Sequence, residues 1–207
     1  EARVRALETE NGALAARVAA LEAAGAANEW FFDHVKFDTN VMNRLAGPHI
    51  IFEGVNVHIR NGSGKTHEDT TPGGLGNLIV GYNECEARVF SDPLFSRPGF
   101  HNLVIGSEHG YDSYGGFIIG IRNTISGQCS SVSGGFLNTA SGLASSVSGG
   151  LSNTASGDLS SVSGGLYNEA SGQNSSISGG VYNEASGQYS SISGGSYNEA
   201  SGQYSSI

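Results

Sequence analysis

The sequence predicts a mainly β protein: a parallel β-roll, or β-solenoid, of fifteen-residue repeats, preceded by an N-terminal parallel coiled-coil helix. Three observations carry this. Ser-Val-Ser-Gly-Gly begins at Ser131, Ser146 and Ser161, and its Ile variant at Ser176 and Ser191. A second phrase, Asn-Thr/Glu-Ala-Ser-Gly, begins at Asn138, Asn153, Asn168, Asn183 and Asn198. Near the N-terminus, Val4, Leu7, Asn11, Leu14, Val18 and Leu21 follow one another at alternating steps of three and four. A strict short period means identical stacked turns of chain, with ladders of like residues on every face.

The coiled coil is expected over residues 1–24. Alternating three- and four-residue steps keep one apolar stripe facing a partner. So narrow a stripe has little to bury alone, which implies a second chain. Val at a with Leu at d is a dimer pattern, and a buried Asn11 would fix register. A trimer is favoured by Arg3-Val4-Arg5-Ala6-Leu7-Glu8 and Arg17-Val18-Ala19-Ala20-Leu21-Glu22. These resemble the Arg-h-x-x-h-Glu motif of short trimeric coiled coils, in which an Arg reaches a neighbouring chain's Glu while its stem covers the seam.

Residues 25–48 are expected to form a helical neck, with helix from Asn28 to Leu45 stopped by Gly47-Pro48. Trp30, Phe31, Phe32, Val35 and Phe37 supply its apolar surface.

Residues 49–115 read as an irregular base of the same solenoid. Asn77-Leu-Ile-Val-Gly81, Asn102-Leu-Val-Ile-Gly106 and Gly116-Phe-Ile-Ile-Gly120 look like degenerate repeats; the last two are 14 residues apart, and Phe117 lies one fifteen-residue step before Val132. Ile50-Ile-Phe52 and Val55-Asn-Val-His-Ile59 read as earlier strands of the ladder. Loops are expected at Asn61–Gly76 and Asn83–Gly99. Three consecutive apolar residues in a strand imply that both faces are buried, against other chains or against these loops.

Residues 116–207 form the regular roll. Each rung offers one strand around Val132, Val147, Val162, Ile177 or Ile192, and another around Ala140, Ala155, Ala170, Ala185 or Ala200. One Val or Ile and one Ala is little apolar burial against the entropy of fixing fifteen residues. Association of several chains, or very many rungs, is the physical remedy. Asn138, Asn153, Asn168, Asn183 and Asn198 should stack about 4.8 Å apart and hydrogen-bond from rung to rung. Tyr167, Tyr182 and Tyr197 form one aromatic column, and Tyr189 and Tyr204 another. Exposed tyrosines beside Asn, Gln and Ser suit either a cover for the corners or contact with a glycan.

Composition narrows the function. The 207 residues include 32 Gly, 10 Lys plus Arg and 19 Asp plus Glu, for a net charge of −9. No Lys or Arg follows Arg122. That balance argues against nucleic acid, whose phosphates need a basic surface. No apolar run reaches the ~20 residues of a membrane span. Cys85 and Cys129 leave two readings open: a disulfide in an oxidising compartment, or two buried thiols. The chain starts inside a heptad and stops inside a repeat, as a piece of a longer molecule does.

Chemistry-bearing motifs are weak. Asn61-Gly-Ser-Gly-Lys65-Thr66 ends like a phosphate-binding loop, but such a loop needs Gly at the place of Ile59 and a helix behind it. His58, His67, His101, His109 and Asp112 match no zinc spacing. Calcium-binding rolls need an Asp in every turn, and Asp158 is the one Asp in the repeats. No catalytic residue, cofactor or metal site is expected, and no enzyme.

The phrases Asn138-Thr-Ala-Ser-Gly142 and Ser145-Ser-Val-Ser-Gly-Gly150 resemble the head repeats of trimeric autotransporter adhesins. The resemblance covers the repeat half well and the base weakly. It implies left-handed parallel β-rolls in a homotrimer on a cell surface, acting as a spacer or adhesive rod towards a host-cell or glycan surface. There are departures. The family's usual repeat is one residue shorter, its strands read closer to Val-Ala-Ile-Gly than Val-Ser-Gly-Gly, its heads precede their stalks, and no C-terminal membrane barrel is visible in this sequence. Phage-type tail fibres are similar trimeric rods. A ligand-reading rod for glycan or ice is a further alternative, but Thr139 and Thr154 give way to Glu169, Glu184 and Glu199, and a charged row suits ice poorly.

Overall fold

The computed structural model describes residues 1–67, 73–84 and 96–207. Of the helix, the side chains at 2, 6–8, 23–24, 26–30 and 32 are not among them, so those of Leu7, Glu8, Trp30 and Phe32 lie outside the described residues. Cys85, and parts of both expected loops, also lie outside. The chain divides into two compact units, Glu1–His58 and Ile59–Ile207.

In the first unit, helix α1 spans Ala2–His34. Its residues are mostly Ala, Leu, Glu and Arg, which lose little rotamer freedom in a helix. The helix stops well before Gly47-Pro48. β1 (Val35–Asp38) follows at once and pairs antiparallel with β2 (His49–Phe52), Val35 opposite Phe52 and Phe37 opposite Ile50. The expected helix to Leu45 therefore ends at His34. β-Branched and aromatic side chains alternating with Lys36 and Asp38 fit a pleated strand better than a helix. Asn40 turns the chain by donating its backbone N–H to Asp38 Oδ1 (2.8 Å), and Lys36 pairs with Glu53 across the hairpin. Ile50-Ile-Phe52 is thus a strand of this hairpin and no part of the ladder. Val55–Ile59 has no strand structure.

The second unit is a parallel β-solenoid with two strands per turn. One sheet stacks β3 (Leu78–Val80), β4 (Leu103–Ser107), β6 (Phe117–Ile121), β8 (Ser131–Val132), β10 (Ser146–Val147), β12 (Ser161–Val162), β14 (Ser176–Ile177) and β16 (Ser191–Ile192). The other stacks β5 (Gly110–Tyr111), β7 (Thr124–Ile125), β9 (Thr139–Ala140), β11 (Thr154–Ala155), β13 (Glu169–Ala170) and β15 (Glu184–Ala185). We call these the Ser sheet and the Glu sheet after their outward residues. A third line of bridges joins Ile121, Phe136, Leu151, Leu166, Val181 and Ser196.

Between the sheets lies a thin core of one larger and one smaller side chain per turn. Val132, Val147, Val162, Ile177 and Ile192 come from the Ser sheet; Ala140, Ala155, Ala170, Ala185 and Ala200 face them, and all are at most 1% exposed. The base continues it with Val104, Ile118, Tyr111 and Ile125.

The register corrects one expectation. Phe117 lies below Ser131, and Ile118 below Val132. The base steps by fourteen residues, as from Asn102 to Gly116, and the roll by fifteen, as from Asn123 to Asn138. The added residue enters at a corner. Ile119-Gly120-Ile121 in the base becomes Ser133-Gly134-Gly135-Phe136 in the roll, while Ile121 still bridges Phe136. A second glycine widens the turn without moving either sheet.

A second correction concerns the base. Val104 and Ile118 are buried inside, but all three residues of β3, Leu78, Ile79 and Val80, are 43–51% exposed, and Phe117 and Ile121 are more than a third exposed. Among the described residues β4 and β6 are covered on one face, and β3 is half open on both.

Candidate functional site: the ladders and faces of the solenoid

The buried polar line is built from Asn138 upward. Its backbone N–H donates to Asn123 Oδ1 (2.8 Å) in the turn below. Its Nδ2 donates to Gly134 O (3.1 Å) in its own corner and to Gly150 O (3.0 Å) in the turn above. Asn153, Asn168 and Asn183 repeat that pattern. Every amide atom that would be costly to bury is used, so the column clamps three successive turns together. Asn198 still donates its backbone N–H to Asn183 Oδ1 below (3.1 Å).

Below Asn123 the column contains a histidine. His109 is fully buried. Its N–H donates to Asn83 Oδ1 (2.8 Å), and its Nδ1 accepts from the backbone N–H of Asn123 (3.3 Å). That leaves Nε2 to donate to Ile105 O (3.0 Å). Burial holds its pKa below the usual histidine value, because the imidazolium would lose its water. Its signal in the sequence is its place fourteen residues before Asn123, the same step that separates Asn102 from Gly116.

A second polar line starts on the opposite corner. Asn102 donates its N–H to Asn77 Oδ1 (2.8 Å), and Gly116 donates to Asn102 Oδ1 (2.9 Å). Above them the line is serine. Ser130 Oγ donates to Gly127 O (2.8 Å), whereas the buried hydroxyls of Ser145, Ser160, Ser175 and Ser190 have no protein partner.

The tyrosines stand in two stacks. Tyr167 and Tyr182 are 4.9 Å apart with rings 9° from parallel, and Tyr182 and Tyr197 are 5.1 Å apart. Tyr189 and Tyr204 are 5.1 Å apart at 6°. All five are exposed, and all lie in left-handed backbone at corners. Each ring covers its neighbour's face. The columns therefore offer edges and hydroxyls to a ligand, and an open face only at their outermost rings. Gln188 Nε2 donates to Gln173 Oε1 (2.8 Å) beside them.

In the helix, Val4, Leu14, Val18 and Leu21 are 48–71% exposed, and Arg3, Asn11, Arg17 and Glu22 are exposed as well. No described residue of the chain covers that stripe.

The remaining candidates do not converge. In the loop from Asn61 to Thr66, the N–H groups of Ser63 and Lys65 donate to Asn61 Oδ1 and Ser63 Oγ. The loop leans on His101, whose Nε2 accepts from Asn61 N–H. The N–H groups of Asn61, Ser63 and Lys65 thus already have protein acceptors, and Thr66 and His67 form a turn where a phosphate-binding loop would start a helix. Among the described residues no three His, Cys, Asp or Glu side chains are grouped as metal ligands, and no helix is long and apolar enough to cross a membrane. Cys129 is an exposed free thiol.

The fold and its ladders define a repetitive β-solenoid, a class compatible with a fibre-like structural segment. No family model matches the chain, and no curated protein matches it.

Proposed function

We propose that this chain is a segment of a homotrimeric fibre, secreted or displayed on a cell surface, that acts mechanically as a spacer or adhesive rod. The observation that carries the reading is the uncovered seam of α1. Val4, Leu14, Val18 and Leu21 keep a coiled-coil spacing and meet water in the single chain. A stripe of that width is stable when identical helices share it. The repeated Arg-h-x-x-h-Glu pattern favours three of them. The hairpin adds to the argument, since Phe37, Ile50 and Phe52 are 54–70% exposed on it.

The solenoid supports a mechanical role. Its buried asparagine amides are spent on joining turn to turn, and its core holds two side chains per turn. The surface location rests on the likeness of the repeats to heads of trimeric autotransporter adhesins, whose usual step the base shares. Tail fibres of phages are the alternative of the same shape.

Light scattering on a sizing column tests the reading. The expected mass is three times the 21.3 kDa chain. A mass of one chain overturns it.

A further inference from the structure

We infer that the corner groove between Tyr82 and Ile121 is a slot for one neutral sugar ring, a hexopyranose. As a function this rests on the adhesive-rod reading above; as a site it belongs to a single chain.

The register of the base builds the groove. Val80, Ile105 and Ile119 stack in successive turns. Tyr82, Ser107 and Ile121 each lie two residues further on, so they mark three consecutive levels of one corner. Beside them run Gly81, Gly106 and Gly120, all at positive φ. A Cβ at Gly106 would strike Gly120 O in the next turn, so no side chain can fill the back of the groove at that level. The result is an open space of about 350 Å³ lined by these six residues and Glu84. That volume lies in the lower part of the range for small-ligand pockets.

The slot selects its occupant by height. Ser107 is the small residue between two large ones. Turns stack at about 4.8 Å, so the levels of Tyr82 and Ile121 are roughly 9–10 Å apart. Apolar contact takes about 3.5–4.0 Å on each side, which leaves the thickness of one ring. Tyr82 is 95% exposed, whereas Tyr182 and Tyr189, stacked in their columns, are 45% exposed. Its ring therefore keeps an aromatic face open, and the carbon face of a pyranose can stack on it.

Polar groups at the rim choose among rings. Among the described residues nothing hydrogen-bonds the Tyr82 hydroxyl, the Ser107 hydroxyl or the Glu84 carboxylate. Glu84 is held in place, because its carbonyl accepts the N–H of Glu108 (3.0 Å). A carboxylate accepts from sugar hydroxyls, and a serine hydroxyl both donates and accepts. No Lys, Arg or His is among the described residues lining the groove. An acidic sugar would thus meet Glu84 with no cation to offset it. A small cation would use Glu84 and leave the Tyr82 and Ile121 walls idle.

Saturation-transfer NMR on the full chain tests the slot. The probes are the methyl glycosides of glucose, galactose and N-acetylglucosamine, with N-acetylneuraminic acid as the anionic control. At least one neutral glycoside is expected to bind. Tyr82→Ala should weaken it about tenfold, Ser107→Phe should abolish it by filling the slot, and Tyr82→Trp should retain it. Circular dichroism should be unchanged in Tyr82→Ala, since that side chain already stands in water. No signal from any neutral glycoside, a signal from the acid alone, or a signal lost with Tyr182→Ala in place of Tyr82→Ala overturns the slot. Light scattering on the same samples separates the two readings. A three-chain mass without sugar binding removes the slot and leaves the fibre. A one-chain mass with Tyr82-dependent binding removes the fibre and leaves the slot.

Discussion

His109 carries Asn123: the backbone N–H of the asparagine donates to the imidazole Nδ1 (3.3 Å), in the place where every turn above uses an asparagine oxygen. A titratable ring thus sits within a column of neutral amides. Burial lowers its folded pKa beneath its ordinary value of 6.5. The folded state therefore binds this proton less readily than the unfolded state, and the stabilisation is fully present above about pH 6.5. It is lost as the pH falls from there towards and through the depressed folded pKa. Protonation also turns the acceptor Nδ1 into a donor facing Asn123 N–H. His109→Asn restores the column's usual residue. Its unfolding temperature is expected to vary less between pH 7.5 and pH 5 than that of the parent chain. An unchanged pH dependence would remove His109 from this role.

The asparagine column predicts a costly substitution. Asn153→Ala strands Asn168 N–H and the carbonyl of Gly149, while Gly165 O loses one of two bonds and keeps Leu151 N–H. One unsatisfied buried group costs about 1–3 kcal/mol, so a loss of roughly 3 kcal/mol or more is expected in urea unfolding. Asn153→Asp is expected to be worse, because an anionic oxygen would replace the donor that faces both carbonyls.

The serine line predicts the opposite for an equally buried residue. Ser160 is 1% exposed and its hydroxyl has no protein partner. Removing an unsatisfied polar group saves its desolvation cost. Ser160→Ala should be neutral or stabilising by up to about 1 kcal/mol, measured in the same urea titration. Val162→Ala, two residues on in the core, should cost about 2–3 kcal/mol.

Two corner substitutions should differ in sign. Ala144 adopts φ 50, where a Cβ is crowded by its own backbone. Ala144→Gly is expected to raise stability by about 0.5–1 kcal/mol. At Gly157 a Cβ would collide with the carbonyl of Gly172 in the next turn. That oxygen belongs to the ladder and cannot move alone, so Gly157→Ala should break the stack locally. Thermal unfolding followed by circular dichroism reads both.

The row Glu169, Glu184, Glu199 repels itself at the spacing of the turns. Glu184→Gln removes both of its contacts with like charge. Its unfolding temperature should exceed the parent's in dilute buffer, and the difference should shrink in 1 M salt, where the Debye length is about 3 Å. A salt-independent difference would point away from charge.

Much of the solenoid was legible because it repeats. Asn138 and Asn153 occupy the same place in consecutive turns, so the period alone puts them in contact. The paired glycines at Gly134-Gly135 likewise announce a corner. Legibility failed where the period changed or stopped. The sequence shows the fourteen-residue step from Asn102 to Gly116 but not where it gives way to fifteen, so a fifteen-residue step from Phe117 reaches Val132 where the structure pairs it with Ser131. Val35–Asp38 looked like more helix because its partner, His49–Phe52, lies across a turn and repeats nothing.

The sequence by itself determined a parallel stack of fifteen-residue turns, its Val/Ile and Ala core, and the polar column of asparagines. Translation along the stack makes each residue's neighbour its own counterpart, so a one-dimensional pattern already encodes those contacts. Only the tertiary structure decided the hairpin, the insertion at Gly134, the buried place of His109 and the open groove between Tyr82 and Ile121. Each of these depends on which non-equivalent segments meet, or on which face nothing meets, and periodicity carries no record of either.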